Sequence, residues 1–428
     1  MSSDALRRRR FVAVAGAVTI AVLASACGGG GSDTAASDGK VTLEFAQWWE
    51  PELPANALRG IMDDFEKQNP NITVKLLSGP YASTKEQVVA GAASGTMSDV
   101  VGLDGAWVSD FVKQGAITDL SALMKESNYD ESQLASQVKI EGAAYMIPVV
   151  NFVYPLFTND DLLKKAGVSK VPTTRSEFTE AAKKVSALGG DAKGWVLPLS
   201  TEAPNGIQND VMSWNWASGG SMLKDGQPDL TSAAVQDTVA YVKSLWDAKV
   251  IAPGSFTMKE QDKVEEFTQG RVGMMIDSLA HVNLIKQNTP DLKFSVAAIP
   301  AKDGYTGKRG IPYASWGIGI SDNSDHKAEA FKLVQYLMSK DVNSKLSSVA
   351  NAFPGNTQST PDFVATDETM KTAFEIYKAG TPANEFTGLP VAEDLMRSFD
   401  ENLQKLLHGD IDQNAMLADT QKSWMSEF

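Results

Sequence analysis

The sequence predicts an α/β fold, and three observations carry that prediction. Short apolar strands alternate with amphipathic helices through the first third of the folded chain. Roughly 390 residues follow a flexible start, which is enough for two to three domains with their own cores. The sole cysteine, Cys27, lies ahead of that body, so burial rather than disulfides must hold it together.

Val41 to Phe45 alternates apolar and polar residues and reads as the first strand. Leu58, Ile61, Met62 and Phe65 recur at helical spacing, and Asn69-Pro70 ends that helix. Ile72, Val74 and Leu76 alternate again. A helix through Val88, Val89 and Ala92 leads to a buried strand at Asp99 to Leu103. Strand–helix–strand order at this spacing favours a parallel sheet covered by helices. Ligands of such sheets collect at the carboxyl ends of the strands, which singles out Trp48-Trp49-Glu50 and Asp104 to Trp107. A helix-rich part follows, with Phe178 to Leu188 and Val235 to Trp246 amphipathic. Val272 to Ile276 and Ile318 to Ile320 read as buried strands. Phe331 to Met338 and Leu395 to Leu406 read as tail helices.

Ahead of the body, Arg7 to Arg10 precede an uncharged apolar run from Phe11 to Leu23, then Ala24-Ser25-Ala26-Cys27. A basic start, a short apolar stretch and small residues before a cut make a secretory signal. The run is too short to cross a bilayer comfortably, because a helical span needs about 20 apolar residues. Arg8 to Val12 also fits the core of a twin-arginine signal. Residues 28–40 are Gly, Ser, Ala, Thr and Asp with little to bury, as in a flexible linker. Losing four arginines and Asp4 with the signal would make the net charge of −14 three units more negative. A surface this acidic argues against nucleic acid, whose phosphates need a basic patch.

Catalytic constellations are missing from the sequence. His281, His326 and His408 lie far apart, giving no zinc pattern. No Gly-rich phosphate loop with Lys-Ser/Thr occurs, so no nucleotide cofactor is expected. Ser321-Asp322-Asn323 and Ser324 to Lys327 spell two penicillin-binding motifs, but they abut in the wrong order within a polar turn. What stands out is tryptophan near turns and strand ends: Trp48, Trp49, Trp107, Trp195, Trp214, Trp216 and Trp316. An indole stacks against the C–H face of a pyranose, and nearby Asp, Asn or Glu can take its hydroxyls. Each such tryptophan could equally be core; Trp246 and Trp424 read as structural.

Several stretches, taken in order and spacing, resemble the extracellular solute-binding proteins of ABC importers, the large carbohydrate-binding family that includes maltose-binding protein. They are Leu43 to Trp49, Phe65 to Val74, Ser98 to Asp104, Gly115 to Leu120, Ile147-Pro148 running to Phe157 to Val168, Phe267 to Asp277 and Trp316 to Ile320. The resemblance spans essentially residues 41–428 and implies a two-lobed periplasmic-binding-protein-like fold with a hinge and a ligand cleft between lobes. Ligand would favour the closed state, which the permease reads. Leu23 to Cys27 resembles a lipobox, with Ala24 where leucine is usual, which implies that the Cys27 thiol is acylated.

The resemblance implies a signal peptide at 1–27, a linker at 28–40, an N-terminal lobe of 41–149 plus 278–321, and a C-terminal lobe of 150–277 plus 322–428. Hinge crossings are expected near Val149 to Asn151, Ile276 to Ser278 and Ser321. Asp104, Asn151 and Asp277 match positions that take hydroxyls; Trp107, Tyr313 and Trp316 match positions near stacking rings. Trp48, Trp49, Trp214 and Asn215 complete the expected site. Relatives often carry a tryptophan after the position of Asp277, where this chain has Ser278-Leu279-Ala280-His281. The expected role is a non-enzymatic, monomeric receptor without a cofactor, anchored through Cys27 on the outer face of the cell membrane. It would deliver a mono- or oligosaccharide to an ABC permease. The alternatives are a glycerol phosphate ester or polyol in the same fold, with Arg59, Arg271 or Arg309 near the ligand, and a secreted glycoside hydrolase.

Overall fold

The structure is a computed structural model that describes residues 39–428. Cys27, the signal peptide and nearly all of the linker lie outside the described residues. Fourteen strands follow in chain order. The first seven are β1 (Val41–Gln47), β2 (Ile72–Ser78), β3 (Val100–Leu103), β4 (Val138–Ile140), β5 (Ala143–Val153), β6 (Leu156–Asn159) and β7 (Lys193–Trp195). The rest are β8 (Leu223–Lys224), β9 (Gln227–Pro228), β10 (Val272–Ile276), β11 (Phe294–Ala297), β12 (Gly310–Ile320), β13 (Phe353–Pro354) and β14 (Thr381–Ala383).

They form two principal sheets, each covered by helices. The first runs β13-β5-β12-β3-β1-β2, with β4 on β5 and β14 on β12. Its β1, β2 and β3 are parallel, as the strand–helix–strand pattern predicts, while β12 is antiparallel to both β3 and β5. The second sheet runs β11-β6-β10-β7. Local chemistry explains the elements. The helix Ala57–Gln68 turns Leu58, Ile61, Met62 and Phe65 to the sheet and stops at Asn69, one residue before Pro70. The helix Arg175–Ser186 starts on a capping box in which Thr174 and Glu177 satisfy each other's backbone N–H. Val89 departs from the predicted stripe: it is 42% exposed, on the outer face of Tyr81–Ser94.

Two lobes result, and strand pairing fixes their boundaries differently from the sequence reading. The chain first crosses at Tyr154-Pro155, between β5 in the first sheet and β6 in the second. It does not return near Ile276 to Ser278, because β11 pairs with β6 along Phe294–Ala297. The return falls between Ala297 and Gly310. Nor does it leave at Ser321. The helices Lys327–Leu337 and Lys340–Ala350 pack on β1 and β5, and Phe353 pairs with Asn151. The last crossing therefore follows Pro354. Residues 278–297 belong with the second lobe and 322–354 with the first, because hydrogen-bond registers, invisible in apolar periodicity, assign them.

Candidate functional site

The carboxyl ends of β1 and β3 carry the first part of the site. After β1 the chain turns into the short helix Trp49–Glu52, and after β3 into Asp104 to Trp107. Trp48, Tyr81 and Trp107 form an aromatic cluster, with ring centroids 5.2 to 5.4 Å apart. The Tyr81 hydroxyl donates to Asp104 Oδ2 at 3.2 Å, and the Ala106 N–H donates to Asp104 Oδ1 at 2.9 Å. Burial raises the Asp104 carboxyl above its ordinary value. The second lobe approaches here: Trp107 Nε1 donates to Glu393 Oε1 at 3.3 Å, and Lys85 pairs with the same carboxylate. Gly388 N donates to Gly105 O at 3.0 Å, and a Cβ on Gly105 would lie 2.8 Å from Thr387. Glycine at 105 is thus what lets the two lobes touch. A cavity of about 10 Å³ remains between Asp104, Pro148, Gln208, Ser315, Asn384 and Thr387, room for roughly one water.

A second cluster sits beside it. Trp49 stacks on Trp316 at 5.5 Å with planes 6° apart, and Phe45 and Phe152 close on their edges. The Trp316 side chain lowers the Glu52 carboxyl slightly, against its burial. Across the lobe boundary, the charge of His281 pulls the Glu52 carboxyl down and that of Glu260 pushes it up. Burial pushes Glu52 up to about 7 despite the pull of His281.

Behind these acids lies a charge network centred on the fully buried Lys263, Asp210 and Asp277. Lys263 Nζ is 3.2 Å from Asp210 Oδ2 and 3.3 Å from Asp277 Oδ1, and it donates to Ile276 O at 2.7 Å. His281 Nδ1 is 2.9 Å from Asp277 Oδ2. Burial opposes the imidazolium, but Asp277 outweighs it and raises His281 to about 9. The same two cations hold Asp277 below its ordinary value against its own burial. For Asp210, by contrast, burial outweighs Lys263 and pushes the carboxyl up to about 7. Glu260, Asp277 and His281 bring one ligand-type atom each within 4.8 Å of one another. Their neutralising partners are already the Lys263 ammonium and the protonated imidazole, which do not fit a metal centre.

The expected site residues divide accordingly. Trp48, Asp104 and Trp107 come together with Tyr81, and Trp49 and Trp316 with Glu52. Asp277 reaches this region only through His281. Asn151 accepts from Ser315 Oγ at 2.7 Å within paired strands, a contact between β5 and β12. Tyr313 lies at the start of β12, packed in an apolar cluster with Phe353 and Tyr377. Trp214 is fully buried in the second lobe, edge-on to Phe178, Trp195 and Tyr241. Asn215 Oδ1 accepts from Thr238 in that same core. Trp214 and Asn215 are therefore core residues: the irregular helix around 207–216 turns them inward, which helical spacing alone could not reveal. The sequence reading passed over Tyr81, Glu52, Glu260, Lys263, His281 and Glu393. Only the four-residue spacing of Asp277 and His281 offered a signal.

Comparison with known proteins agrees with this architecture. Residues 50–344 match the family model of bacterial extracellular solute-binding proteins. A binding protein of Brucella abortus is 30% identical over 329 residues, covering 76% of this chain and 78% of that one. The multiple sugar-binding protein of Streptococcus mutans is 25% identical over 334 residues, covering 74% and 75%. The solute-binding protein of an ABC transporter from Thermotoga lettingae, solved with α-D-tagatose, superposes with a TM-score of 0.76 at 21% identity. That superposition covers 90% of this chain and 99% of that one, a likeness of fold. On the matched segment and the Brucella relative, this chain belongs to the bacterial extracellular solute-binding proteins, a family of binding proteins rather than enzymes.

Proposed function

We propose that this protein captures a mono- or oligosaccharide between its lobes and hands it to an ABC permease, held to the outer face of the cell membrane by an acylated Cys27. The observation that carries the ligand class is the Trp48–Tyr81–Trp107 cluster around Asp104, facing Glu393 of the other lobe. Indole faces offer a sugar its apolar side a surface, and buried carboxylates take the hydroxyls that would otherwise be stranded. The sugar-binding relative from Streptococcus mutans and the tagatose complex from Thermotoga lettingae support the same reading. With only about 10 Å³ between the lobes at Asp104, a sugar enters by opening at the hinge, and its contacts to both lobes favour reclosure. Trp48, Asp104 and Trp107 bind directly in this reading, Trp316 backs Trp49 by stacking, and Asn151 and Asp277 act by holding neighbours in place.

The anchor rests on Arg7 to Arg10, the apolar run to Leu23 and the lone Cys27 before four glycines. The test is thermal shift and tryptophan fluorescence across a defined mono- and oligosaccharide set. At least one sugar should raise the melting temperature by mass action. Trp107→Ala should abolish that response while circular dichroism shows the fold retained, the unliganded melt falling by the few degrees that loss of a buried ring costs. Silence across the set, with polyols and glycerol phosphate responding instead, would move the ligand out of the sugars.

A further inference from the structure

Resting on the saccharide reading, we propose that the ligand is a neutral sugar and that Gln208 of the second lobe reads one of its hydroxyls, opposite Asp104 of the first. Gln208 lies on the π-helical turn Ile207–Val211. Such turns close over five residues rather than four and gather at functional sites. Residues two apart on a helix point to nearly opposite sides. Here Asp210 turns inward to Lys263 at 3.2 Å, and Gln208 lines the cavity between the lobes. The Gln208 side chain is only 7% exposed, yet among the described residues its amide has no hydrogen-bond partner. A buried amide without a partner costs stability, and the cavity it lines is where that partner can enter.

The rest of the lining decides what that partner is. Asp104 Oδ1 accepts from the Ala106 N–H and Oδ2 from the Tyr81 hydroxyl, and each oxygen has capacity for one more donor. Ser315 and Asn384 are already engaged. Ser315 Oγ donates to Asn151, Asn384 Nδ2 donates to Tyr313 O at 2.9 Å, and Asn384 Oδ1 accepts from Phe386 N at 3.1 Å. No cation lines the cavity among the described residues, and Lys85 is taken by Glu393. A carboxylate or phosphate would therefore meet Asp104 without a counter-charge. A hydroxyl suits both sides: its proton goes to Asp104, and its lone pair accepts the Gln208 N–H. The cavity of about 10 Å³ has room for one such oxygen, so the two side chains address the same atom. They belong to different lobes, so the shared hydroxyl favours closure.

The test is calorimetry on the folded chain with glucose, galactose, maltose, cellobiose and lactose, followed by the monodeoxy analogues of whichever binds tightest. One deoxy position should cost at least about tenfold in affinity. Gln208→Leu should weaken the intact sugar at least about tenfold and shrink that deoxy penalty at least about threefold, because hydroxyl and amide are coupled. Gln208→Glu keeps the shape but sets a second carboxylate opposite Asp104, and should weaken binding further. Glucuronate and glucose 6-phosphate should give no heat. Thermal melts show whether each variant folds, and the deoxy series reads the contact in the unaltered chain. Full affinity in the folded variants, or a deoxy series without a tenfold step, overturns the Gln208 assignment and leaves the saccharide reading standing. Tight binding of glucuronate or the phosphate overturns the neutral ligand. No heat from any sugar, with the melt intact, overturns both readings.

Discussion

Replacing Lys263 by methionine is the most direct test of what holds the second lobe together behind the site. The ammonium is fully buried and touches Asp210, Asp277 and the Ile276 carbonyl at 3.2, 3.3 and 2.7 Å. Methionine is of similar size but leaves Asp210 without its cation and Asp277 with only His281. Breaking a buried ion pair by removing one partner costs about 3–5 kcal/mol. The unfolding entropy is about 2.1 cal/mol/K per residue, so a body of roughly 390 residues has about 0.8 kcal/mol/K. The melting temperature of Lys263→Met should therefore fall by about 4–6 °C at pH 7, read by circular dichroism and by urea unfolding. Asp210→Asn added to Lys263→Met should recover about half of the loss or more, because the stranded charge is then gone. A single variant that loses less than about 1 kcal/mol, or a double variant no better than the single, would refute the reasoning.

Other consequences are equally measurable. Below about 6.5 His281 is charged in both folded and unfolded chains, and its raised value of about 9 contributes stability that fades as pH climbs through 9. His281→Gln should flatten the stability profile across that window, removing about 3 kcal/mol of pH dependence in urea titrations. Gly105→Val drives two methyls into Thr387, so small-angle scattering should show a more open particle, and affinity for any cleft ligand should fall at least about tenfold. An unchanged particle size would sink that argument. Asp400 is fully buried with neither oxygen partnered, and burial holds its carboxyl well above the usual range. Such a group costs stability once pH exceeds the unfolded value near 4, so Asp400→Asn should melt higher than the parent at pH 7. The gain should vanish near pH 4, as scanning calorimetry at the two pH values would reveal.

Much of the first lobe was legible in the chain because local chemistry writes it. Alternation marks β1 and β2, a 3.6 period marks the helix Ala57–Gln68, and Asn69-Pro70 marks its end. The same logic singles out Asp104 and Trp107 as candidates, since the ends of parallel strands converge whatever the side chains are. Trp214 was misread because an exposed rim tryptophan and a core tryptophan look alike in sequence; only packing against Phe178 and Tyr241 separates them. Glu52 and Glu260 were passed over for the opposite reason. Surface acids are common in so acidic a chain, and nothing in the neighbours of Glu260 announces that it will lie beside Asp277 and His281.

Residues close along the chain are enough to set the α/β class, the order of strands and helices in the first lobe, the family resemblance and the place of the lone Cys27. Tertiary structure decided which lobe owns residues 278–297 and 322–354, which tryptophans reach the lobe boundary, and which carboxylates lose their water. Those depend on registers and burial set by residues more than a hundred positions apart, and the charges of the site exist in their perturbed form only once that burial is complete.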